Sequence, residues 1–347
     1  MKKLISILIL STFAAATFAF SSPSKVQLPS KKNSKAYPDW IFNPYNYYNE
    51  AKYLAGVGLG NDINAAEEDA KAEILKVLKQ NIDAVQNVKT YADAFTDSSV
   101  YTQEINASTA IKSISGIEID KKYIATDNEA YALAILNRQE ACDNYSTLIK
   151  QNDSQIAEYI QWAKAHPGDI QSVVYGQKAL KLAIDNDYYI EAIRLIQPPY
   201  GSDTSISYGS YVQLLNEVTE IKKGVSVKVV VEGDVKGMAE ASIKKAFEKI
   251  GITCTDHDLD HTYLAVVGLE LQKADSPDMK HFFCNYVYTV EIVNKNNKDY
   301  FTYSAYGRAG HLNEQGAKNK AMLLVTKDIE SKFFEKLAYY AETGVQQ

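Results

Sequence analysis

Asp256-His257-Asp258-Leu259-Asp260-His261 is the densest run of potential ligands in the sequence. Imidazole and carboxylate groups hold zinc and similar divalent ions, so such a loop is a candidate metal site. His281 is the nearest further histidine, and no Cys or His follows at a spacing that would close the site. The plainer expectation is a polar turn between two strands with solvated carboxylates. Gly56-Val57-Gly58-Leu59-Gly60 has the glycine content of a dinucleotide-binding turn, in which glycines let a pyrophosphate approach a helix N-terminus. The third glycine comes one residue early and Gly56 falls inside a strand pattern, so Gly58 and Gly60 are expected to serve a tight strand-to-helix turn. Arg308, Gly310 and His311, placed between the last strand and the last helix, form a candidate anion site, or else a structural cap or ion pair. Gly233 to Gly237 is a further turn, with Asp234 expected to cap the next helix. No Gly-x-Ser-x-Gly elbow is present, and no cysteine carries an activating motif. A carboxylate pair for glycoside hydrolysis has no fold signal to support it. No catalytic residue, metal ligand or cofactor is therefore assigned, and the chain is expected not to be an enzyme.

The elements that position these residues fall into three segments. Pro38-Asp39-Trp40 opens the first in an extended conformation. Tyr53 to Leu59 alternates as a strand. Ala66, Ala70, Ile74, Leu75, Leu78, Ile82 and Val85 then make one apolar stripe on a long helix. Three β signals follow, Ala110 to Ile119, Lys121 to Thr126 and Ala130 to Leu136, with Asp127-Asn128 as a turn pair. The middle segment reads as all-helical. One helix runs through Tyr145 to Ala163, and His166-Pro167-Gly168-Asp169 breaks it. A second runs through Val173 to Ala183, Asp185-Asn186-Asp187 turns into a third, and a fourth spans Tyr208 to Ile221. Ala179 to Pro198 resembles half of a tetratricopeptide repeat, without the usual period. In the last segment the order is β-α-β-β-β-β-α: strands at Val225 to Val231, near Cys254, at Tyr263 to Leu271, Phe282 to Val293 and Tyr300 to Gly307, a helix through Ala239 to Ile250, and a closing helix to Leu337. The expected architecture is α+β, with two small β-α-meander domains at 37–138 and 224–340 joined by an all-helical spacer at 139–223.

Composition narrows the function classes. The 347 residues are 46% apolar and 11% aromatic, enough to build real cores. The net charge of -6, or -8 once Lys2 and Lys3 are removed, argues against nucleic acid and anionic lipid as partners. Tyrosine occurs 25 times, chiefly for strand packing, with Tyr45, Tyr47 and Tyr48 as a candidate binding loop. Three cysteines leave a Cys254–Cys284 disulfide as one arrangement and three free thiols as the other.

Residues 1–19 have the three-part pattern of a secretory signal peptide: Lys2 and Lys3, an apolar run from Leu4 to Ala16, then Thr17-Phe18-Ala19. Residues 20–36 read as a Ser-, Pro- and Lys-containing tether. No later stretch is apolar and long enough to span a bilayer, so the expected location is the bacterial periplasm, released or peripheral at the outer membrane.

The ordered motifs Pro38-Asp39-Trp40, Tyr53 to Gly60, Ala65 to Leu75, Ile114 to Ile119 and Glu129 to Leu136 resemble the Lpp-twenty family of bacterial envelope lipoproteins. Val229 to Gly237 and Tyr303 to His311 resemble C-terminal domains that accompany such modules in spirochaete-like envelope proteins. The resemblance implies an exported, non-enzymatic protein at the periplasmic side of the outer membrane, contacting other envelope proteins or peptidoglycan. Family members often carry a lipid-modified cysteine after the signal peptide, whereas the first cysteine here is Cys142. The function expected is that of a structural or adaptor module acting through sheet edges, the helical segment or tyrosine-rich loops. The alternatives are a binding module for cell-wall glycan or a small molecule, and a metal-dependent enzyme at His257 and His261.

Overall fold

The computed structural model describes residues 37–76, 116–126, 128–233, 237–257, 261–275, 281–296 and 300–346. The signal-peptide and tether readings lie outside these residues, as do Leu78, Ile82, Val85, Asp127, Asp234 and Asp258 to Asp260. The fold is α+β, as expected.

Strand β1 (Tyr53–Gly60) is followed by helix α1 (63–76) and by strands β2 (Ile117–Thr126) and β3 (Glu129–Asn137). The sheet order is β1-β3-β2, antiparallel throughout. The two β signals expected before Thr126 are one strand from Ile117 onward, with a register shift between Ile119 and Lys121. Gly56, Gly58 and Gly60 of β1 lie opposite Ala134, Ala132 and Ala130 of β3. Strand alternation puts all six on the face that meets α1. Ala66 and Ala70 of that helix are fully buried against it. A Cβ added at Gly58 would lie 2.1 Å from the Ala70 nitrogen and 2.2 Å from the Ala66 oxygen. The glycines therefore serve a backbone-to-backbone approach of helix and strand, not a turn with unusual dihedrals. On the other face, Trp40 and Ile41 pack against Tyr131 and Leu133.

Helix α2 (Arg138–Ala165) starts directly from β3, capped by the Asn137 side chain, which accepts from the N–H groups of Gln139 and Glu140. Helix α3 (Ile170–Ile196) is continuous where the sequence predicts a turn at Asp185-Asn186-Asp187. Asn186 is fully buried between α2 and α3, and its side-chain oxygen accepts from Asn152 Nδ2 at 2.9 Å. An asparagine satisfied across the hairpin has no need to bond its own backbone, so its turn preference is overridden. Helix α3 ends at Gln197 in the left-handed region, before Pro198-Pro199. The Ala179 to Pro198 stretch is thus the second half of α3 and its exit. Helix α4 (Tyr211–Lys223) packs on the hairpin through Leu214 and Val218.

The helices connect the two sheets through packing as well as sequence. Cys142, Tyr145 and Ile149 of α2, with Tyr188 to Ile196 of α3, share a core with α1 and β3. At its other end α3 gives Ile170 and Val173 to the core of the second sheet, where the Tyr263 hydroxyl accepts from the Ile170 N–H at 3.1 Å.

That second unit comprises β4 (Ser226–Glu232), α5 (Met238–Lys249), β5 (Thr253–Cys254), β6 (Tyr263–Ala274), β7 (Phe282–Asn294), β8 (Tyr300–His311), α6 (Glu314–Asp328), a π-helical turn (Ile329–Phe333) and α7 (Phe334–Thr343). The element order is the expected one, and strands β6 and β8 run further than predicted. The sheet order is β5-β4-β6-β7-β8, with β4 parallel to β5 and β6 and the rest antiparallel. Cys142, Cys254 and Cys284 are all free. Two strands separate β5 from β7, and the register sets Cys254 level with Asn294, at the opposite end of β7 from Cys284, so the two thiols lie far beyond disulfide reach.

The rod formed by α6, the π turn and α7 crosses the sheet through Val325, Ile329, Phe333 and Leu337. Asp328, at the last position of α6, accepts hydrogen bonds from the Tyr288 hydroxyl at 2.7 Å and the Tyr303 hydroxyl at 2.6 Å. These tie adjacent strands β7 and β8 to the helix at the point where its pitch changes.

Candidate functional site

All helices of the second unit lie on one face of its sheet. That face is built from Val227, Val229, Ala265, Val267, Tyr288, Val290, Ile292 and Phe301. Register fixes what the opposite face carries. Val230, Val266, Glu291 and Thr302 form one cross-strand row, and Lys228, Leu264, Val293 and Tyr300 the next. Glu270, Val287 and Tyr306 form a third. Tyr306 is 85% exposed, Val287 47% and Tyr300 46%. Valine, leucine and tyrosine stand on this open sheet face beside Lys228, Glu270 and Glu291, an apolar patch rimmed by charge of the kind that marks a contact surface.

Arg308 and His311 are not brought together. Strand β8 continues to His311, so alternation puts Arg308 on the open face and His311 on the helix-covered one. The Arg308 guanidinium stacks 4.2 Å from the centre of the Phe283 ring and donates to the Asp275 carbonyl at 2.6 Å. Gly310 makes room for that ring, since a Cβ there would lie 2.8 Å from Phe283 Cε1. The His311 ring packs over Gly316 in the first turn of α6, whose cap is Asn313. Each residue is thus used structurally, in a different place. Gly233 turns the chain at φ 87° against the Leu269 carbonyl, and Gly237, at φ 66°, is the N-cap of α5.

The tyrosine loop is largely spent on structure as well. Trp40 is buried and Asp39 exposed in a 3-10 turn at Asp39–Ile41, where an extended start was expected, and the Asp39 carbonyl accepts from the Phe42 N–H. The Tyr45 hydroxyl accepts from the Ala55 N–H on the outer edge of β1, and Asp69 accepts from the Leu59 N–H on the same edge. Tyr48 packs edge-on against Tyr53, and its hydroxyl is held up at about 12, first by burial and then by its hydrogen bond to Asp120. Tyr47 keeps a half-exposed ring, with the Lys121 ammonium 5.1 Å above it.

In the ligand-rich loop, Asp256 pairs with Lys244 at 2.9 Å, and Lys244 also reaches Glu240. His261 is buried with its Nδ1 3.2 Å from Lys295 Nζ. An ammonium group only donates, so that nitrogen is an acceptor already engaged. His257 and His281 are exposed. Among the described residues, no group of three or more His, Cys, Asp or Glu is arranged to hold a metal ion.

A cleft of about 310 Å³ lies between α2 and α4, floored by Ile156, Ile160, Tyr208 and Leu214, with the Lys164–Glu217 pair at its rim. Its volume is at the low end for ligand sites. Burial pushes the Tyr208 hydroxyl up to about 12. Sequence reading named neither this cleft nor the open face. Helix α2 gives its inner stripe to α3, so the floor of the cleft looks like ordinary core in one dimension. The open face does have a signal: Tyr300, Thr302, Ser304, Tyr306 and Arg308 alternate with Phe301, Tyr303, Ala305, Gly307 and Ala309.

Burial also pushes the Cys142 and Cys254 thiols up to about 12 from an ordinary 9.0. A pKa higher in the folded chain than in the unfolded one favours the native state fully below the unfolded value. That contribution is lost as pH climbs toward the folded value. Stability should therefore hold up to about pH 9 and then fall, each such group adding at most about 1.4 kcal/mol per pH unit. Urea denaturation at neutral pH and near pH 11 checks this. Equal stability at both would show that these thiols and the buried tyrosines are not shielded as described.

No family model and no curated protein sequence matches the chain. Among solved structures, the secreted protein HP1454 from Helicobacter pylori is similar over 80% of this chain and 97% of its own, at 13% identity and a TM-score of 0.39. A putative lipoprotein from Caulobacter crescentus is similar over 35% of this chain and 93% of its own, at 9% identity and a TM-score of 0.26. A minor lipoprotein from Acinetobacter baumannii is similar over 35% and 92%, at 8% identity and a TM-score of 0.25. Likenesses this low decide nothing about what this chain does.

Proposed function

We propose that this chain is an exported, non-enzymatic envelope protein that works by contact, as a structural or adaptor module of the periplasm. The observation that carries the reading is the open face of the second sheet. Among the described residues helices cover only the other side, and Tyr306, Val287 and Tyr300 stand exposed on this one. The signal-peptide pattern of residues 1–19 supports export. Among the described residues no helix is long and apolar enough to cross a membrane. In this reading the two sheet units at 37–138 and 224–340 are held at a set spacing by the helices of 139–223. Membership of the Lpp-twenty family fits the same picture and rests on the motifs of the first segment alone. Crosslinking in the native envelope, followed by mass spectrometry, should recover a reproducible envelope protein or peptidoglycan fragment. Recovery of none would end the adaptor reading.

A cluster of rings on the outer surface of α2 and α3 favours a second reading, a glycan-binding module. Tyr159 and Tyr175 stack at 5.3 Å, and Trp162 meets Tyr175 edge-on at 4.7 Å. His166 stacks on Trp162 at 4.0 Å. Half-exposed aromatic faces are the usual platform for sugar rings. Retention on purified sacculi that is lost with Trp162→Ala or Tyr47→Ala would favour this reading over the first.

A further inference from the structure

Strand β8 closes one side of the second sheet, and its outer edge is built differently from the outer edge of β1. On β1 the outward N–H groups of Ala55 and Leu59 are taken by Tyr45 and Asp69. On β8 the ends are taken in the same manner: the Thr302 carbonyl accepts from Gln346 at 3.0 Å, and the Gly310 carbonyl from Lys320 at 3.3 Å. These two bonds fix the parity, so even-numbered residues of β8 direct their backbone groups outward. Between them, the outward groups of Ser304, Tyr306 and Arg308 meet no partner among the described residues.

Edge strands are normally guarded by lysine, proline, a bulge or a short length. Strand β8 is 12 residues long, pairs with β7 without a register shift, and contains no Lys, Asp, Glu or Pro. Its single charge, Arg308, is folded back onto Phe283 and the Asp275 carbonyl. We infer that the β8 edge is a self-association surface, whose occupant is the β8 edge of a second copy of this chain, antiparallel and centred on Tyr306.

The window itself selects that occupant. Thr302 and Gly310 lie equally far from Tyr306, so the open stretch is symmetric about it. A two-fold contact requires residue i to meet j while j meets i. Centred on Tyr306, it sets Arg308 of each copy opposite the neutral Ser304 of the other and Thr302 opposite Gly310. No like charges face each other across the seam, although each chain carries a net charge of -6. Two five-stranded sheets would join into one, with the exposed Tyr306 rings side by side. This contact uses the edge of the sheet, and it stands or falls separately from any partner on the open face.

Analytical ultracentrifugation of the purified mature chain tests it. Wild type should show a concentration-dependent monomer–dimer equilibrium. Tyr306→Lys and Ser304→Pro should weaken association about tenfold or more, with an unchanged thermal midpoint, because neither position gives a backbone bond to β7. If the proline variant loses its fold, the lysine variant still decides. Register is tested by oxidation: facing residues in such a pair have Cα atoms about 5.5 Å apart, within disulfide range. Tyr306→Cys should therefore crosslink to itself. Ser304→Cys should not, but should crosslink when mixed with Arg308→Cys. A wild-type chain that stays monomeric at every concentration overturns the inference. So does a dimer indifferent to both edge variants, or capture of a different envelope protein, and no second copy, at position 306.

Discussion

Gly58→Ala should destabilise the first sheet and its helix by about 3 kcal/mol or more, despite being among the mildest substitutions by composition. Two effects oppose each other. Alanine is the better strand residue by about 0.5 to 1 kcal/mol, because glycine loses more conformational freedom on folding. Against this, the new methyl group would sit 2.1 Å from the Ala70 nitrogen and 2.2 Å from the Ala66 oxygen. Those atoms belong to helix backbone and cannot rotate away. Helix α1 must lift off the sheet and open contacts to Ala130, Ala132 and Ala134. Overpacking typically costs about 1 to 3 kcal/mol where side chains can yield, and more where only backbone can move, so the loss outweighs the gain. Urea denaturation gives the difference directly. A neutral or stabilising result would contradict the close approach of α1 to β1. Gly201→Ala makes a useful contrast: its φ of 76° strains an alanine, but nothing lies within 4 Å of the new atom.

The second large effect is expected at Asp328. Its carboxylate accepts from the hydroxyls of Tyr288 and Tyr303, and Tyr288 is fully buried. Hydrogen bonds to a charged group contribute about 1.5 to 3 kcal/mol each, and an orphaned buried hydroxyl adds its own desolvation cost. Asp328→Ala should therefore cost about 3 to 5 kcal/mol. Adding Tyr288→Phe and Tyr303→Phe to the same chain should restore part of that loss, because the stranded donors are removed along with their acceptor. If the triple variant is less stable than Asp328→Ala alone, the three groups do not form the unit described.

Much of the architecture was legible because the burial periods were strong. The alternation of Val225 to Val231 and the stripe from Ala317 to Leu337 each lead to the element found there. The glycines of β1 were legible as special but not as to why. One-dimensional spacing cannot distinguish a turn from a strand face pressed on a helix, and the alanines that reveal the second case are Ala66, Ala70, Ala130, Ala132 and Ala134, far apart in the chain. The break predicted at Asn186 failed for a similar reason, since its partner Asn152 is on another helix. Among the candidate site residues, Arg308 and His311 looked adjacent because strand β8 was ended too soon. Four more residues of strand turned neighbours in sequence into residues on opposite faces. The open face of the second sheet was not foreseen, because which face the helices cover is a tertiary choice.

If the chain works by contact as proposed, its partner docks on the open face of the second sheet. Photocrosslinking in the native envelope tests it most directly, with the reactive group placed at Val266, on the middle strand of that face, or at Leu323, which is 60% exposed on α6 behind the sheet. Reproducible adducts with an envelope component are expected at Val266 and none at Leu323. Adducts at Leu323 alone, or equal capture at both positions, would contradict it.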